Sequence, residues 1–340
     1  MKKMRIVFVF LITTIVFISC NNADKTPDVS NIKIELSTQR FERDLFSLDT
    51  ANFSLGLDQL LARYPSFGEN FIYTVLGADP KWSADTVATY VREFTRLYKS
   101  VYDSSQVVFK DFTPYETDLK KSLQYLKYYF PKAVIPKKII TFVGPLTGIG
   151  VAAADDIICV GLHLHLGKNF SLYRSALVEE TYPEYVSNRF EPGYITVDCL
   201  KLLFQDLYPE KMEDKPLVQL MVEKGKRLYI LSKLLPGTDE YKLIGYSKEQ
   251  LKAVYEHEPA VWDLFVQNNF LQTIDNNIIK NYIGESPKTQ ELGEASPGNI
   301  GSFAGWQIVK KFMLKNPSYN LQQLMAADAE TIFQQAKYKP

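Results

Sequence analysis

The sequence predicts a predominantly helical α+β fold with a small central β-sheet. Most of the chain places its apolar residues at the three- and four-residue spacing of amphipathic helices. Only the centre departs from this spacing, with two β-rich runs, 138–143 and 157–166, that are closed by Gly or Pro. The 340-residue chain is 46% apolar, which is enough for one large core. We therefore expect a single α+β domain.

The N-terminus has the pattern of a lipoprotein signal peptide. A basic start precedes an apolar run over 6–18, which is shorter than the ~20 residues that a membrane-spanning helix needs. The run ends at Ser19-Cys20. A small residue before a cysteine is typical of the site where signal peptidase II cleaves and a lipid is attached. Residues 1–19 are therefore predicted to be the signal peptide, and Cys20 is predicted to carry the lipid.

The residues after this cysteine predict a flexible tether. Residues 20–31 are mostly polar and contain Pro27, so the soluble domain is predicted to cover 32–340. The lipid would hold the protein to a membrane of the bacterial envelope without a transmembrane helix. Asp24 and Asp28 are the only acids near Cys20. Because a dense acidic export tag is missing, we expect the body to lie in the periplasm.

Charge and cysteine content exclude some classes of partner. Lys+Arg and Asp+Glu balance at 39 each, so nothing indicates a nucleic-acid partner. Cys159 and Cys199 both lie among apolar residues. One disulfide is possible in an oxidising compartment, but two buried free thiols are the favoured interpretation.

The first third of the chain is predicted to be mostly helical after an initial strand. Ile32, Ile34 and Leu36 alternate with polar residues, which indicates a strand. Helical spacing follows over 55–64 and 85–98. The two β-rich runs in the centre then supply the sheet.

Helical spacing returns after the central runs and continues to the C-terminus. One helix covers 200–207, and a second starts at Pro216 and ends before Pro236-Gly237. A capping box at Ser247 and Gln250 begins another helix, which Pro259 should kink or break. A last pair is predicted at 306–314 and 321–336. Gly301 and Gly305 stand four apart at the start of that pair, which favours close approach of another backbone.

No complete catalytic motif occurs, and we expect no cofactor. The chain has no phosphate-binding loop, no dinucleotide-binding loop and no Gly-x-Ser-x-Gly elbow. His163 and His165 are the best candidate metal ligands, because residues two apart on a strand at 157–166 point to the same face and could ligate zinc with a third residue. The favoured alternative places both on the polar face of a half-buried strand, with the neighbouring leucines toward the core.

A polar stripe runs along the helix that starts at Pro216. It consists of Gln219, Glu223, Lys226 and Arg227, and the order of Glu223 and Arg227 favours an ion pair. The stripe is predicted to be exposed or to line a groove, and the alternative is an internal polar site. Asp198, on the preceding helix, joins Glu223 and Lys226 as a candidate for this polar groove.

Several stretches together resemble the GldB family of gliding-motility lipoproteins. These are the signal for lipid attachment, residues 41–46 (Phe-Glu-Arg-Asp-Leu-Phe), 198–200 and 217–229, Ile244-Gly245-Tyr246-Ser247 leading to Trp262, and Ser296-Pro297-Gly298-Asn299-Ile300-Gly301 leading to Gly305-Trp306. The resemblance covers essentially the whole chain after the signal peptide. It implies an envelope lipoprotein required for gliding or for the associated secretion machinery, working beside other envelope lipoproteins.

The order of elements is also similar to that of zinc-dependent metalloproteases with a zincin-like scaffold. Those enzymes carry His-Glu-x-x-His on the first helix after the sheet, because histidines four apart share a helix face. Here residues 196–203 contain no histidine, and Lys224-Gly225 stands where such proteases often have Glu-Gly. The resemblance implies a scaffold whose metal site has been lost.

The function expected from the sequence is therefore that of a lipid-anchored, non-catalytic envelope component. Two alternatives remain open. One is a metal-dependent hydrolase with an unrecognised site that includes His163 and His165, and the other is a ligand-binding lipoprotein.

Overall fold

The computed structural model describes residues 26–211 and 213–340. The predicted signal peptide, 1–19, and the predicted lipid attachment site, Cys20, lie outside these residues. Within them the chain is mainly helical and has one four-stranded sheet, so the predicted α+β class is confirmed.

The sheet is mixed and small. Its strands are β1 (Ser37–Arg40), β2 (Lys138–Phe142), β3 (Val151–Ala154) and β4 (Ile157–Gly161), in the spatial order β1-β2-β4-β3. Strands β1, β2 and β4 run parallel to one another. Strand β3 runs antiparallel to β4 and forms one edge of the sheet. A tight turn joins β3 to β4, with Asp155 at a φ of 51°.

Six helices in the first third confirm the helical prediction for that region. Their bounds are α1 Phe41–Phe46, α2 Phe53–Arg63, α3 Pro65–Asn70, α4 Ala84–Leu97, α5 Lys99–Val108 and α6 Thr113–Tyr129. A π-helical turn, Phe71–Val75, continues α3. Aromatic side chains from these helices form a separate small core on one face of the sheet, where Phe71 packs on Phe41 and Phe142 at centroid distances of 4.9 and 6.1 Å.

Eleven helices among the described residues follow the sheet. They are α7 Ala176–Thr181, α8 Glu184–Ser187, α9 Ile195–Leu207, α10 Leu217–Leu234, α11 Glu240–Ile244, α12 Lys248–Glu256, α13 Glu258–Gln267, α14 Asn276–Tyr282, α15 Ile300–Lys315, α16 Leu321–Ala326 and α17 Ala329–Ala336. The larger core lies between these helices, α6 and the other face of the sheet. The sheet separates the two cores, because successive side chains of a strand point to opposite faces. Ile139 and Ile158 face the larger core, whereas Ile140 and Cys159 face the smaller one.

Helices α10 and α15 cross at the centre of the larger core, where glycines replace side chains. A Cβ placed on Gly225 would overlap the carbonyl of Gly305, and a Cβ on Gly305 would overlap the carbonyl of Met221. The backbones therefore touch, as the spacing of Gly301 and Gly305 predicts. Because no other residue type lacks a Cβ, both crossing positions require glycine.

Two predicted elements differ from the structure. The strand predicted from Ile32, Ile34 and Leu36 is wrong, since Ile34 and Leu36 are buried in an unpaired segment and pairing begins only at Ser37. The helix predicted over 321–336 is two helices, because the side chain of Asp328 accepts a hydrogen bond from Thr331 N and begins a new one.

Other predicted boundaries are confirmed. Ser247 and Gln250 form the reciprocal capping box at the start of α12. The helix is interrupted at His257, and Pro259 lies in the first turn of α13, where its missing N–H costs no helical hydrogen bond.

Cys159 and Cys199 are buried and free, and burial raises the pKa of the Cys159 thiol to about 12.

Candidate functional site

A cleft opens where α9, α10 and α11 meet the start of β3. Its volume is about 480 Å³. One part of the wall is apolar and consists of Val151, Leu202, Phe204, Leu228, Leu231, Leu243 and Ile244. Charged and polar side chains form the rest: Asp198, Lys201, Gln205, Glu210, Lys224, Arg227, Glu285, Asn299 and Ser302. An apolar wall with a few polar groups is typical of a binding site.

Helix α9 presents three polar side chains to this cleft because of their spacing. Asp198, Lys201 and Gln205 follow one another at three and four residues, so they share one helix face. Cys199 and Leu200 lie on the buried side of the helix. The same helix thus contributes both a core face and a polar face toward the cleft.

The charges of the cleft form two groups. At one end, Arg189 makes a bidentate ion pair with Glu285 at 2.9 and 3.1 Å. At the other end, Glu210 accepts a 2.7 Å hydrogen bond from Lys224 and lies 3.4 Å from Arg227 Nε. Lys201 lies in the cleft and makes no direct hydrogen bond or ion pair with another described residue. Burial lowers the pKa of Lys201, and the charge of Asp198 opposes that effect.

His165 reaches Asp198 from the loop that follows β4. Its Nε2 lies 3.3 Å from Asp198 Oδ2, and its Nδ1 lies 2.9 Å from the Gly161 carbonyl oxygen. The carbonyl can only accept, so Nδ1 carries a hydrogen. The Asp198 side chain is 36% exposed and His165 only 2%, so the carboxylate separates the imidazole from the cleft.

His163 lies in a different environment. Gly144 N–H donates to its Nδ1 at 3.0 Å, while its Nε2 is buried and has no hydrogen-bond partner among the described residues. Burial, and then the neighbouring His165, lower the pKa of His163 to about 3.

The predicted strand at 157–166 is wrong in its second half. Strand β4 ends at Gly161, and Leu162–Leu164 form a 3-10 turn, so the two-residue alternation does not continue to the histidines. Both imidazoles are therefore buried, whereas a half-buried strand would have exposed them. They also face different partners and do not converge. Within residues 26–211 and 213–340, no group of three or more His, Cys, Asp and Glu side chains is placed to hold a metal ion.

The polar stripe of α10 is only partly in the cleft. Lys226 is 2% exposed, and its amine lies 3.0 Å from both Glu223 Oε2 and the Ala327 carbonyl oxygen. The lysine thus takes the internal position, rather than the exposed or groove-lining one that the sequence favours. The expected pairing of Glu223 with Arg227 is replaced, because Arg227 turns to Glu210.

Asp198, Glu223 and Lys226 therefore do not line one groove. Asp198 lies in the cleft, whereas Glu223 lines a second, smaller cavity and Lys226 lies buried beside it. The shared wall of the two cavities is formed by Glu210, Lys224 and Arg227. Sequence reasoning missed this wall, because Glu210 comes from the loop after α9 and no periodicity marks it.

Strand β3 leaves one backbone edge unpaired beside the cleft. Its described hydrogen-bonding neighbour is β4, and Gly161 N–H donates to the Gly150 carbonyl just ahead of the strand. Antiparallel pairing alternates, so this bond places the N–H and C=O groups of Val151 and Ala153 toward the open edge. Val151 also lines the cleft.

Comparison with known proteins gives a family match. A family model described as gliding motility protein GldB matches residues 22–340. No curated protein and no solved structure matches the chain. In the part of the chain that the structure describes, no helix is both long enough and apolar enough to cross a membrane.

Proposed function

Because the chain belongs to the family of the gliding motility protein GldB, we propose that it is a lipid-anchored, non-catalytic component of the gliding or envelope-secretion machinery. Cys20 carries the lipid, and the body lies in the periplasm. The cleft beside β3 binds an extended segment of another envelope protein.

One observation supports this proposal most directly: the open edge of β3 borders a cleft with polar ends and an apolar wall. An extended segment that pairs with Val151 and Ala153 would gain main-chain hydrogen bonds from the strand. Its alternate side chains would then lie against the leucines of α10 and α11. Main-chain pairing gives affinity, and the cleft selects the side chains.

The non-catalytic assignment is supported by the placement of the charged groups. Lys224 and Arg227 share Glu210 as their ion-pair partner, and Glu285 is occupied by Arg189. The two histidines that a hydrolase would need face different partners. The metal-dependent hydrolase therefore gains no support from this geometry.

Complementation of a deletion strain tests the proposal. Ala153→Pro removes the outward N–H of an edge strand, a position where proline is tolerated, whereas Ala153→Ser keeps that N–H and serves as the matched control. We expect the serine variant to restore gliding and the proline variant to fail at similar protein abundance. Cys20→Ala should block incorporation of labelled palmitate and also abolish gliding.

Photo-crosslinking from position 151 then identifies the bound protein. We expect a crosslink to an envelope protein in the parent chain and in Ala153→Ser, but not in Ala153→Pro. Normal gliding and secretion in the deletion strain would contradict the motility role, and equal rescue by both Ala153 variants would contradict binding at β3.

A further inference from the structure

The second cavity lies between the loop after α9 and the first turns of α10. Its volume is about 250 Å³, several times the roughly 30 Å³ that one water molecule occupies in the liquid. Four basic side chains and two carboxylates line it: Lys211, Lys215, Lys224, Arg227, Glu210 and Glu223. The wall therefore carries more positive than negative groups, although the chain as a whole has no net charge.

The distances show which positive charges are already neutralised. Glu223 Oε2 is 3.0 Å from the buried amine of Lys226, which lies outside the cavity lining, and its other oxygen is 3.5 Å from Lys215. Glu210 lies 2.7 Å from Lys224 and 3.4 Å from Arg227. The closest partner of each carboxylate thus takes its charge, which leaves Lys215 and Arg227 incompletely neutralised and Lys211 at the exposed rim.

The cavity also has hydrogen-bond donors that lack an acceptor among the described residues. Arg227 Nε is buried without a hydrogen-bond partner among the described residues. The rest of its guanidinium is fixed, because its other two nitrogens donate to Gln205 Oε1 at 3.3 Å and to the Tyr208 carbonyl at 2.6 Å. Lys215 makes no hydrogen bond within the described chain and has only the 3.5 Å ion pair with Glu223, so its donors are also available.

We propose that this cavity is a binding site for a phosphate monoester group. Such a group carries a charge of about −1.5 to −2 at neutral pH and has three acceptor oxygens. Two incompletely neutralised cations and a rim lysine match this charge and this number of acceptors, and the fixed guanidinium supplies a donor without reorganisation. Neither the family match nor the cleft beside β3 assigns this site.

Binding of inorganic phosphate to the purified full chain in detergent tests the proposal. We expect saturable binding, measured by calorimetry, that Lys215→Gln and Lys224→Gln each weaken by about tenfold, because the first removes a charge-assisted contact and the second leaves Glu210 to neutralise Arg227. Lys252→Gln is the matched control, since Lys252 is exposed on α12 outside both cavities. Thermal unfolding of every variant verifies that the fold is retained.

A soluble lipid distinguishes the source of the phosphate. Short-chain phosphatidic acid carries a phosphate monoester on a lipid. Tighter binding of the phosphatidic acid than of inorganic phosphate assigns the site to a lipid headgroup, and equal or weaker binding assigns it to a soluble phosphate ester. Absence of saturable binding up to roughly 10 mM phosphate, or equal binding by Lys215→Gln and Lys252→Gln, overturns the proposal.

Discussion

The imidazole of His165 and the carboxylate of Asp198 meet at 3.3 Å through Nε2 and Oδ2 while the Gly161 carbonyl already occupies Nδ1–H. Two acceptors would face each other in the absence of a second proton on this pair. The contact therefore requires a hydrogen between Nε2 and Oδ2, whichever of the two atoms carries it.

Nitrogen-15 shifts of the imidazole test this arrangement. We expect Nδ1 of His165 to show a protonated-type shift in the parent chain and in Asp198→Asn, because the Gly161 carbonyl accepts its hydrogen in both. In Asp198→Asn the amide can donate to Nε2, so the fold should lose only about 1 kcal/mol of stability. An unprotonated Nδ1 in the parent chain would refute the assignment.

Burial of neutral His163 predicts acid sensitivity. Its pKa is about 3 in the folded chain and about 6.5 when unfolded, so the unfolded state binds the additional proton between these values. Stability is therefore complete above about pH 6.5 and falls as the pH drops, by up to about 1.4 kcal/mol per unit. Urea unfolding at pH 7 and pH 5 measures the loss.

His163→Gln separates this contribution from other titrating groups. Glutamine can still accept from Gly144 N–H but does not titrate, so its stability should fall by about 2 kcal/mol less than that of the parent between pH 7 and pH 5. Identical pH dependence of the two proteins would show that His163 does not carry the effect.

The contact between α10 and α15 predicts strong sensitivity to a single methyl group. Gly305→Ala places a Cβ against the Met221 carbonyl, and relief requires the two helices to separate. We expect a loss of about 3 kcal/mol or more in the free energy of unfolding. In Gly56→Ala the nearest atom is a mobile Leu48 methyl at 3.2 Å, and a change within about 1 kcal/mol is expected.

Denaturant unfolding compares the two alanine variants directly. If Gly305→Ala were no less stable than Gly56→Ala, the helices would not be in backbone contact at this point.

The buried lysine of α10 predicts a measurable coupling with its carboxylate. Lys226→Met removes the closest cation from Glu223, whose side chain remains 25% exposed, and we expect a loss of about 2 kcal/mol. Lys226→Met combined with Glu223→Gln should recover part of that loss in a double-mutant cycle. Lys99→Met breaks an exposed ion pair on α5 and should cost no more than about 0.5 kcal/mol.

Additive effects of the Lys226 and Glu223 substitutions would mean that the two side chains do not interact. The exposed pair serves to show that loss of a lysine alone does not cause the effect.

Most of the helices could be predicted, because their starts, ends and contacts are marked by residues that are close together in the sequence. The capping box at Ser247, the break before Pro259 and the glycines at Gly301 and Gly305 each determine structure through neighbouring residues. The family resemblance was likewise visible in the sequence and is confirmed by the matching family model.

Prediction from the sequence failed where contacts between distant parts of the chain determine the local structure. Ile34 and Leu36 alternate like strand residues but are buried without pairing, since the partner strand β2 begins opposite Ser37. His163 and His165 follow β-rich residues, yet the chain turns at Gly161. In the candidate site, Asp198 was anticipated, whereas Glu210 entered only through folding of the loop after α9.

The segment from Val29 to β1, which begins inside the predicted tether, has a mechanical consequence under the proposed lipid anchoring. Val29, Ile34 and Leu36 are buried in the larger core, and Gln124 donates to the Ile32 carbonyl at 2.7 Å. Tension along the tether therefore reaches these side chains before it reaches the hydrogen bonds between β1 and β2. A pulling force must therefore extract these three buried side chains from the core before the sheet begins to separate.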